Sequence, residues 1–142
     1  MTFLCACQRR YIVLKNEPSS IADAYATIKV MLQDYNLDNI WLIPNAVTSQ
    51  PDGIRLSKNI NTVVKNFLGG QVNYLHSITA DEMVLRATKS SKCLLDFAPS
   101  SNATRDFKEL AKIIDSQGPD IGISGGLQFF LERIVADQLK VG

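Results

Sequence analysis

The stretch from Phe67 to Ala87, FLGGQVNYLHSITADEMVLRA, holds the residues of this chain best placed for chemistry. It reads as a helix end, a glycine turn, a parallel strand and a loop that opens directly onto a new helix. In α/β sheets a nucleotide-sized ligand docks at such a place, outside the carboxyl end of a strand. Triphosphate chemistry asks for more: a nest of backbone N–H groups, a Lys and a Mg²⁺-binding Ser/Thr, arranged as G-x-x-x-x-G-K-[ST]. Gly69-Gly70 and Gly122-x-x-Gly125-Gly126 are the glycine clusters of the 142 residues, and neither is followed by Lys-Ser/Thr. Phosphoryl transfer would find little electrostatic stabilisation here. His76, the single histidine, shares a strand face with Val72, Tyr74 and Ile78. No partner acid is identifiable for it, so it reads as a core or rim residue and not as a catalytic base. Cys5-x-Cys7 with His76 lacks a second ligand pair at metal-site spacing, and Cys5, Cys7 and Cys93 are expected to be buried, inert thiols.

The elements around this stretch alternate. Residues 2–9 suggest a helix fragment. Tyr11–Leu14 is a short, wholly apolar run, the mark of a strand buried on both faces, and it lacks the charge or proline typical of an edge. Ser20, with Asp23 three residues on, can cap the next helix, whose stripe is Ile21, Ala24, Tyr25, Ile28, Met31, Leu32 and Tyr35. Asn36 suits its left-handed end. Ile40–Ile43 is a second strand, and Pro51-Asp52-Gly53 closes the polar loop after it. Leu56, Ile60, Val63, Val64 and Phe67 make another helical stripe, ended by Gly69-Gly70. Val72 to Ile78 is the third strand. A short helix runs from about Ala80 to Thr88, with Thr79 and Glu82 as its capping box and Asp81 favourably placed against the helix dipole. Phe107, Leu110, Ala111 and Ile114 mark a later helix. The pattern predicts βαβ units, a parallel sheet of about three strands and one domain.

Bulk properties exclude several functions. A net charge of +1 with 20% charged residues gives no basic face for nucleic acid, and 46% hydrophobic content is ordinary for a globular protein. Arg9-Arg10, the one adjacent basic pair, is expected at a solvated helix end. No apolar run reaches the roughly eighteen residues that span a bilayer, and no leader pattern is visible, so a reducing cytoplasm is expected.

Taken in order, these elements resemble the C-terminal half of a MinD/ParA-type P-loop ATPase, and within that superfamily the flagellar-number regulators called FleN or FlhG. The resemblance is carried by Glu17-Pro18-Ser19-Ser20-Ile21-x-Asp23-Ala24-Tyr25, Asn45-Ala46-Val47 and Phe67-Leu68. It continues in Ala80-Asp81-Glu82-x-Val84-x-x-Ala87, Pro99-x-Ser101-x-Ala103-x-x-x-Phe107-x-x-Leu110-Ala111 and Leu127-x-Phe129-Phe130-x-Glu132-Arg133. It implies a partial Rossmann-like fold with its N-terminal phosphate-loop half missing. Residues 1–115 would be the C-terminal half of the nucleotide-binding domain, 116–126 a glycine-rich linker and 127–142 an amphipathic helix. It also implies ATP as cofactor of the intact protein, with Mg whose ligands are absent here.

By position the resemblance places Asn45, Ile78, Thr79 and Asp81 around an adenine. An Asn amide donates and accepts at once, which suits a purine edge, although Asn45 is equally readable as a turn former. The family's usual Gly and Pro are His76 and Thr79 here, which narrows the slot. Implied partners are a second copy, a flagellar transcription activator and a signal-recognition-like flagellar GTPase. Such proteins often end in a membrane-targeting helix, which implies peripheral contact with the inner membrane through 127–140. Glu132, Arg133, Asp137 and Lys140 cancel in charge, so packing on protein is the competing fate of that segment. A non-enzymatic interaction module derived from such an ATPase is the alternative reading of the whole chain.

Overall fold

The computed structural model describes residues 2–118. The elements are α1 (Thr2–Ala6), β1 (Arg10–Leu14), α2 (Pro18–Lys29), a π turn (Val30–Asp34), β2 (Ile40–Val47) and α3 (Gln50–Leu68). They continue as β3 (Asn73–Tyr74), β4 (Ile78–Thr79), α4 (Glu82–Lys89), α5 (Leu94–Phe97) and α6 (Asn102–Ser116). Ser116, expected in the linker, is still helical; the rest of the expected linker beyond Gly118 and the segment 127–142 lie outside the described residues.

The sheet is parallel and open, as the alternation of elements predicts. β1 pairs with β2 from Arg10↔Ile40 to Leu14↔Pro44, and β3 and β4 pair with β2 as two pieces of one interrupted strand. The expected continuous strand from Val72 to Ile78 is therefore broken. Between Leu42↔Tyr74 and Asn45↔Ile78 the third strand uses one residue more than β2, and β2 recovers it between Asn45 and Val47. Each strand bulges once, and both bulges fall near the carboxyl ends.

One face of the sheet carries the main core. Leu14, Ile40 and Leu42 meet Ala24, Ile28 and Met31 of α2 and its π turn, and Leu56, Ile60 and Val64 of α3. Each Leu, Ile, Val or Met side chain among them taken from water contributes about 1.5–3 kcal/mol. The helical stripes pack in part as their spacing predicts, but Tyr35 after α2 and Phe107 and Ala111 of α6 are exposed. Val63 and Phe67 of α3 stay exposed, because the core contacts of that helix follow Leu56, Ile60 and Val64 alone. α3 also approaches the third strand closely at Gly53, where a Cβ would overlap Ser77 Oγ and stand 2.8 Å from Ser77 Cβ. The other face is thinner: Ile43, Leu75 and Ile78 pack against Ala103, Leu110, Ile113 and Ile114 of α6, with Leu94 beside them.

Several local expectations are corrected. α2 starts at Pro18 after Glu17, and Ser20 does not cap it; the Ser20 hydroxyl accepts from Lys15 N–H instead, holding the turn after β1. Asn36 does adopt the left-handed conformation, with φ 51°. Pro51-Asp52-Gly53 belongs to the first turn of α3, capped by Ser49, and not to a loop. Arg10 is not solvated at a helix end. It is buried, and its guanidinium donates to the carbonyls of Leu4 (2.9 Å), Cys7 (2.6 Å) and Asp38 (2.7 Å). All three cysteines are exposed, although Leu4 of the same α1 packs against the main core. Lastly, β1 is not buried on both faces: Tyr11 and Val13 point away from α2 and α3, and Val13 is 62% exposed.

Candidate functional site

Among the described residues two recesses compete for attention. The larger, about 620 Å³, opens beside Leu32, Asn39, Gly70 and Asn73, at the end where β2 and β3 begin. The smaller, about 250 Å³, lies where β1 and β2 finish. Ligands in open α/β sheets bind outside the carboxyl ends, so the smaller one is the candidate. Its walls are Lys15 and Glu17 after β1, Ala46 and Thr48 at the end of β2, and Asp52 and Arg55 from α3. The charges are internally matched: Arg55 lies 2.6 Å from Asp52, and Lys15 lies 3.9 Å from Glu17. These exposed pairs add little stability, and they leave no net positive field to capture phosphate unaided.

The bulge in β2 shapes this recess. Ala46 has φ 54°, a left-handed conformation that costs a non-glycine residue about 1–2 kcal/mol. Asn45 Oδ1 accepts from Ala46 N–H at 2.9 Å and holds the kink. Sequence reasoning did not find Ala46, since alanine carries no signal for positive φ.

The register brings three of the four expected site residues together. Asn45 stands opposite Ile78, Thr79 is opposite Val47, and Ala80 N–H donates to Val47 O at 2.8 Å. Asp81 follows at the start of α4. Their chemistry differs from the expectation. Ile78 is buried beneath α6, in contact with the second core. Thr79 does not cap α4; its N–H and its hydroxyl both donate to the carboxylate of Asp106. Asp81 is the cap, with Oδ1 accepting from Met83 N–H at 2.9 Å and Oδ2 from Ala103 N–H at 3.0 Å. The N–H of Ala103, then that of Met83, holds its carboxyl below the ordinary value. Of these four residues, Asn45 keeps a side-chain donor, Nδ2, without a partner among the described residues. A purine edge could thus be met by Asn45 Nδ2 and main-chain groups, but not by a free Asp81 carboxylate.

Asp106 is the organising residue that the sequence did not reveal. Besides Thr79 it accepts from Gln50 Nε2 at 3.0 Å. Gln50 also donates to Ser77 O at 2.9 Å and accepts from the Tyr74 hydroxyl at 3.1 Å, and Ser77 Oγ donates to Tyr74 Oη. His76 therefore does have an acid beside it: Nε2 lies 3.9 Å from Asp106 Oδ1, buried and without a hydrogen bond. The bonds of this network that join α3, the third strand and α6 span 24 to 56 residues, so no local motif announces it.

A parallel α/β sheet with helices on its faces and a recess outside the strand ends defines a Rossmann-like protein. No family model matches the chain. It is 32% identical to antiactivator FleN of Pseudomonas aeruginosa over 135 residues, which is 95% of this chain and 48% of that protein. It is 29% identical to flagellum site-determining protein YlxH of Helicobacter pylori over 137 residues, 94% of this chain and 46% of that protein. The chain spans about half the length of the curated relatives it matches. Across nearly all its residues, then, the chain is similar to FleN and to YlxH, and its extent is consistent with one half of such a protein.

Proposed function

We propose that this chain is the C-terminal portion, truncated or split, of a FleN/FlhG-like regulator of the MinD/ParA superfamily, and that it does not hydrolyse ATP by itself. One observation carries the reading. β1 has a strand neighbour on one side only among the described residues, and its apolar Tyr11 and Val13 face is uncovered. A strand of that composition is suited to a sheet interior. The missing half would extend the sheet past β1 and bring the phosphate loop, the Lys and the Mg²⁺-binding hydroxyl to the recess between Lys15 and Ala46. ATP and Mg²⁺ would be held jointly, with Asn45 and the main chain of Ile78–Asp81 at the base.

The whole assembly would be an ATP-gated dimer that limits flagellar number. Its partners would be a flagellar transcription activator and a signal-recognition-like GTPase, with peripheral inner-membrane contact through 127–140 or packing of that segment on protein. No helix among the described residues is long and apolar enough to cross a membrane.

The purified chain is expected to show no ATP turnover above a buffer blank and to bind a non-hydrolysable ATP analogue more weakly than millimolar. Tighter binding, or measurable turnover, overturns the half-site reading. A second reading, a non-enzymatic interaction module, is favoured by the engagement of Asp81 and Thr79 in internal bonds. An in-frame or frameshifted Lys-Gly-Gly-x-Gly-Lys-Thr coding stretch immediately upstream would favour the broken ATPase, and its absence the module.

A further inference from the structure

β1 stands at one end of the strand order, with β2 on one side and no strand of the described residues on the other. The ladder itself tells which main-chain groups this leaves open. Arg10 N–H donates to Asn39 O at 3.2 Å, and the register then runs in step from Arg10↔Ile40 to Leu14↔Pro44. Successive residues of a strand turn their N–H and C=O groups to alternate sides. Arg10, Ile12 and Leu14 therefore bond to β2, and Tyr11 and Val13 direct both main-chain groups to the open edge. Tyr11 and Val13 also carry the exposed apolar side chains of the strand.

Natural sheet edges are guarded by a proline, an outward lysine or a bulge. β1 has none of them. Its one charged residue, Arg10, is buried, with its guanidinium held by the carbonyls of Leu4, Cys7 and Asp38. The bulges of this sheet fall in β2 and the third strand.

The unguarded edge is complementary to itself. When two copies are set antiparallel about a two-fold axis at Ile12, Tyr11 of each copy meets Val13 of the other. Each such pair exchanges both of its N–H···O bonds, so every group that β1 leaves open gains a partner. Neighbouring registers do less well. Setting Val13 against its own counterpart calls on Lys15 N–H, which already donates to Ser20 Oγ at 2.9 Å. Setting Tyr11 against its counterpart calls on Arg9, which lies outside the strand. In the favoured register an aromatic ring lies beside a β-branched side chain, a stabilising cross-strand pair. Lys15 approaches Arg9 of the other copy, and Glu17, 3.9 Å from Lys15, offsets that repulsion in part.

We propose that β1 is a self-pairing edge, through which two copies of this chain join antiparallel at Tyr11 and Val13 into one continuous sheet. The missing half in the function proposed above would take the same edge, so the pair belongs to the chain without that half. The pairing itself does not rest on that reading.

Sedimentation velocity of the full chain over a concentration series tests it, with amide exchange by NMR as the local readout. One short strand is a small contact, so monomer and dimer should interconvert at about 0.1 mM. Over that range protection of the Tyr11 and Val13 amides should rise by roughly tenfold, while that of Ile12, bonded to β2, does not change. Val13→Pro removes a donor at the open edge and leaves the ladder to β2 intact, as edge strands allow. It should be monomeric. Val13→Lys adds a cation to the seam beside Arg9 and Lys15 and should weaken association at least tenfold; it decides alone should Val13→Pro fail to fold. A chain that stays monomeric even at about 1 mM, or a dimer that either variant leaves unchanged, overturns the pairing. Equal gains in protection at Ile12 and Tyr11 overturn it too. Adding the N-terminal half of a relative separates the two ideas. Loss of the pair supports both, whereas a pair that survives counts against the missing-half reading and leaves the self-pairing standing.

Discussion

On one face of the sheet α2 and α3 bring Leu14, Ile40 and Leu42 to 2% exposure or less. On the other, α6 covers Ile43 and Ile78 but leaves Tyr11 and Val13 of β1 open to solvent. The same strands, equally apolar on both sides, are thus finished on one face and unfinished on the other. The covered face is held by dispersion and by release of water. The thinner face is held largely by directed polar bonds, through Asp81, Asp106 and Gln50. Hydrophobic contact is tolerant of small shifts, whereas a carboxylate meeting two N–H groups is not. The thinner side is consequently the less tolerant of displacement, whereas the recess is walled by the turn after β1, the end of β2 and the start of α3.

The sharpest test of this contrast is a matched pair of truncations. Leu42→Ala removes a fully buried side chain from the finished face, and about 3 kcal/mol of stability should go with it in urea unfolding. Val13→Ala, on the unfinished face, should cost about 0.5 kcal/mol or less. If the N-terminal half of a relative is supplied and completes the sheet, the Val13 cost should climb toward the value for a buried valine. Equal costs in the isolated chain would remove the distinction between the faces.

A smaller effect is expected at Asp81. Its carboxyl is held below the ordinary value by Ala103 and Met83 N–H, so it is stabilising in its ionised form. That contribution is fully present above the unfolded value near pH 4 and disappears as pH falls through the lower folded value. The gap between wild type and Asp81→Ala should be about 1 kcal/mol at pH 7 and should close in strong acid. A gap that stays constant down to pH 2 would count against the capping role. Smallest of all, Ala46→Gly should stabilise the chain by about 0.5–1 kcal/mol, since glycine takes positive φ without a steric penalty. Destabilisation instead would mean that the bulge is relaxed in solution.

Much of the fold was legible because its signals are local. The stripe Ile21, Ala24, Ile28, Met31 repeats at helical spacing, and Ile40–Ile43 is continuous; neither needs knowledge of its partner. Asn36 and Gly69 mark helix ends through a backbone preference that the residue itself carries. The unreadable features are those decided at long range. Exposed cysteines, the burial of Arg10 and the role of Asp106 depend on which segments arrive nearby. Thr79 and Asp81 show the limit most clearly. Either could cap α4, and the choice fell to Asp81 because Asp106, 27 residues further on, had already claimed Thr79. At the candidate site, register sets Asn45, Ile78 and Thr79 side by side on neighbouring strands, whereas the engagement of their side chains could not be read from spacing.

Arg10 leaves one further mark. It grips Leu4, Cys7 and Asp38 only by their peptide oxygens, so the identities of those three side chains are irrelevant to the grip. Cys7 and Asp38 can be rewritten while a single cation keeps three pieces of backbone clasped, whereas Leu4 is also held by its contact with the main core. Comparison of sequences at 7 and 38 would then show drift beside a position that tolerates almost no replacement.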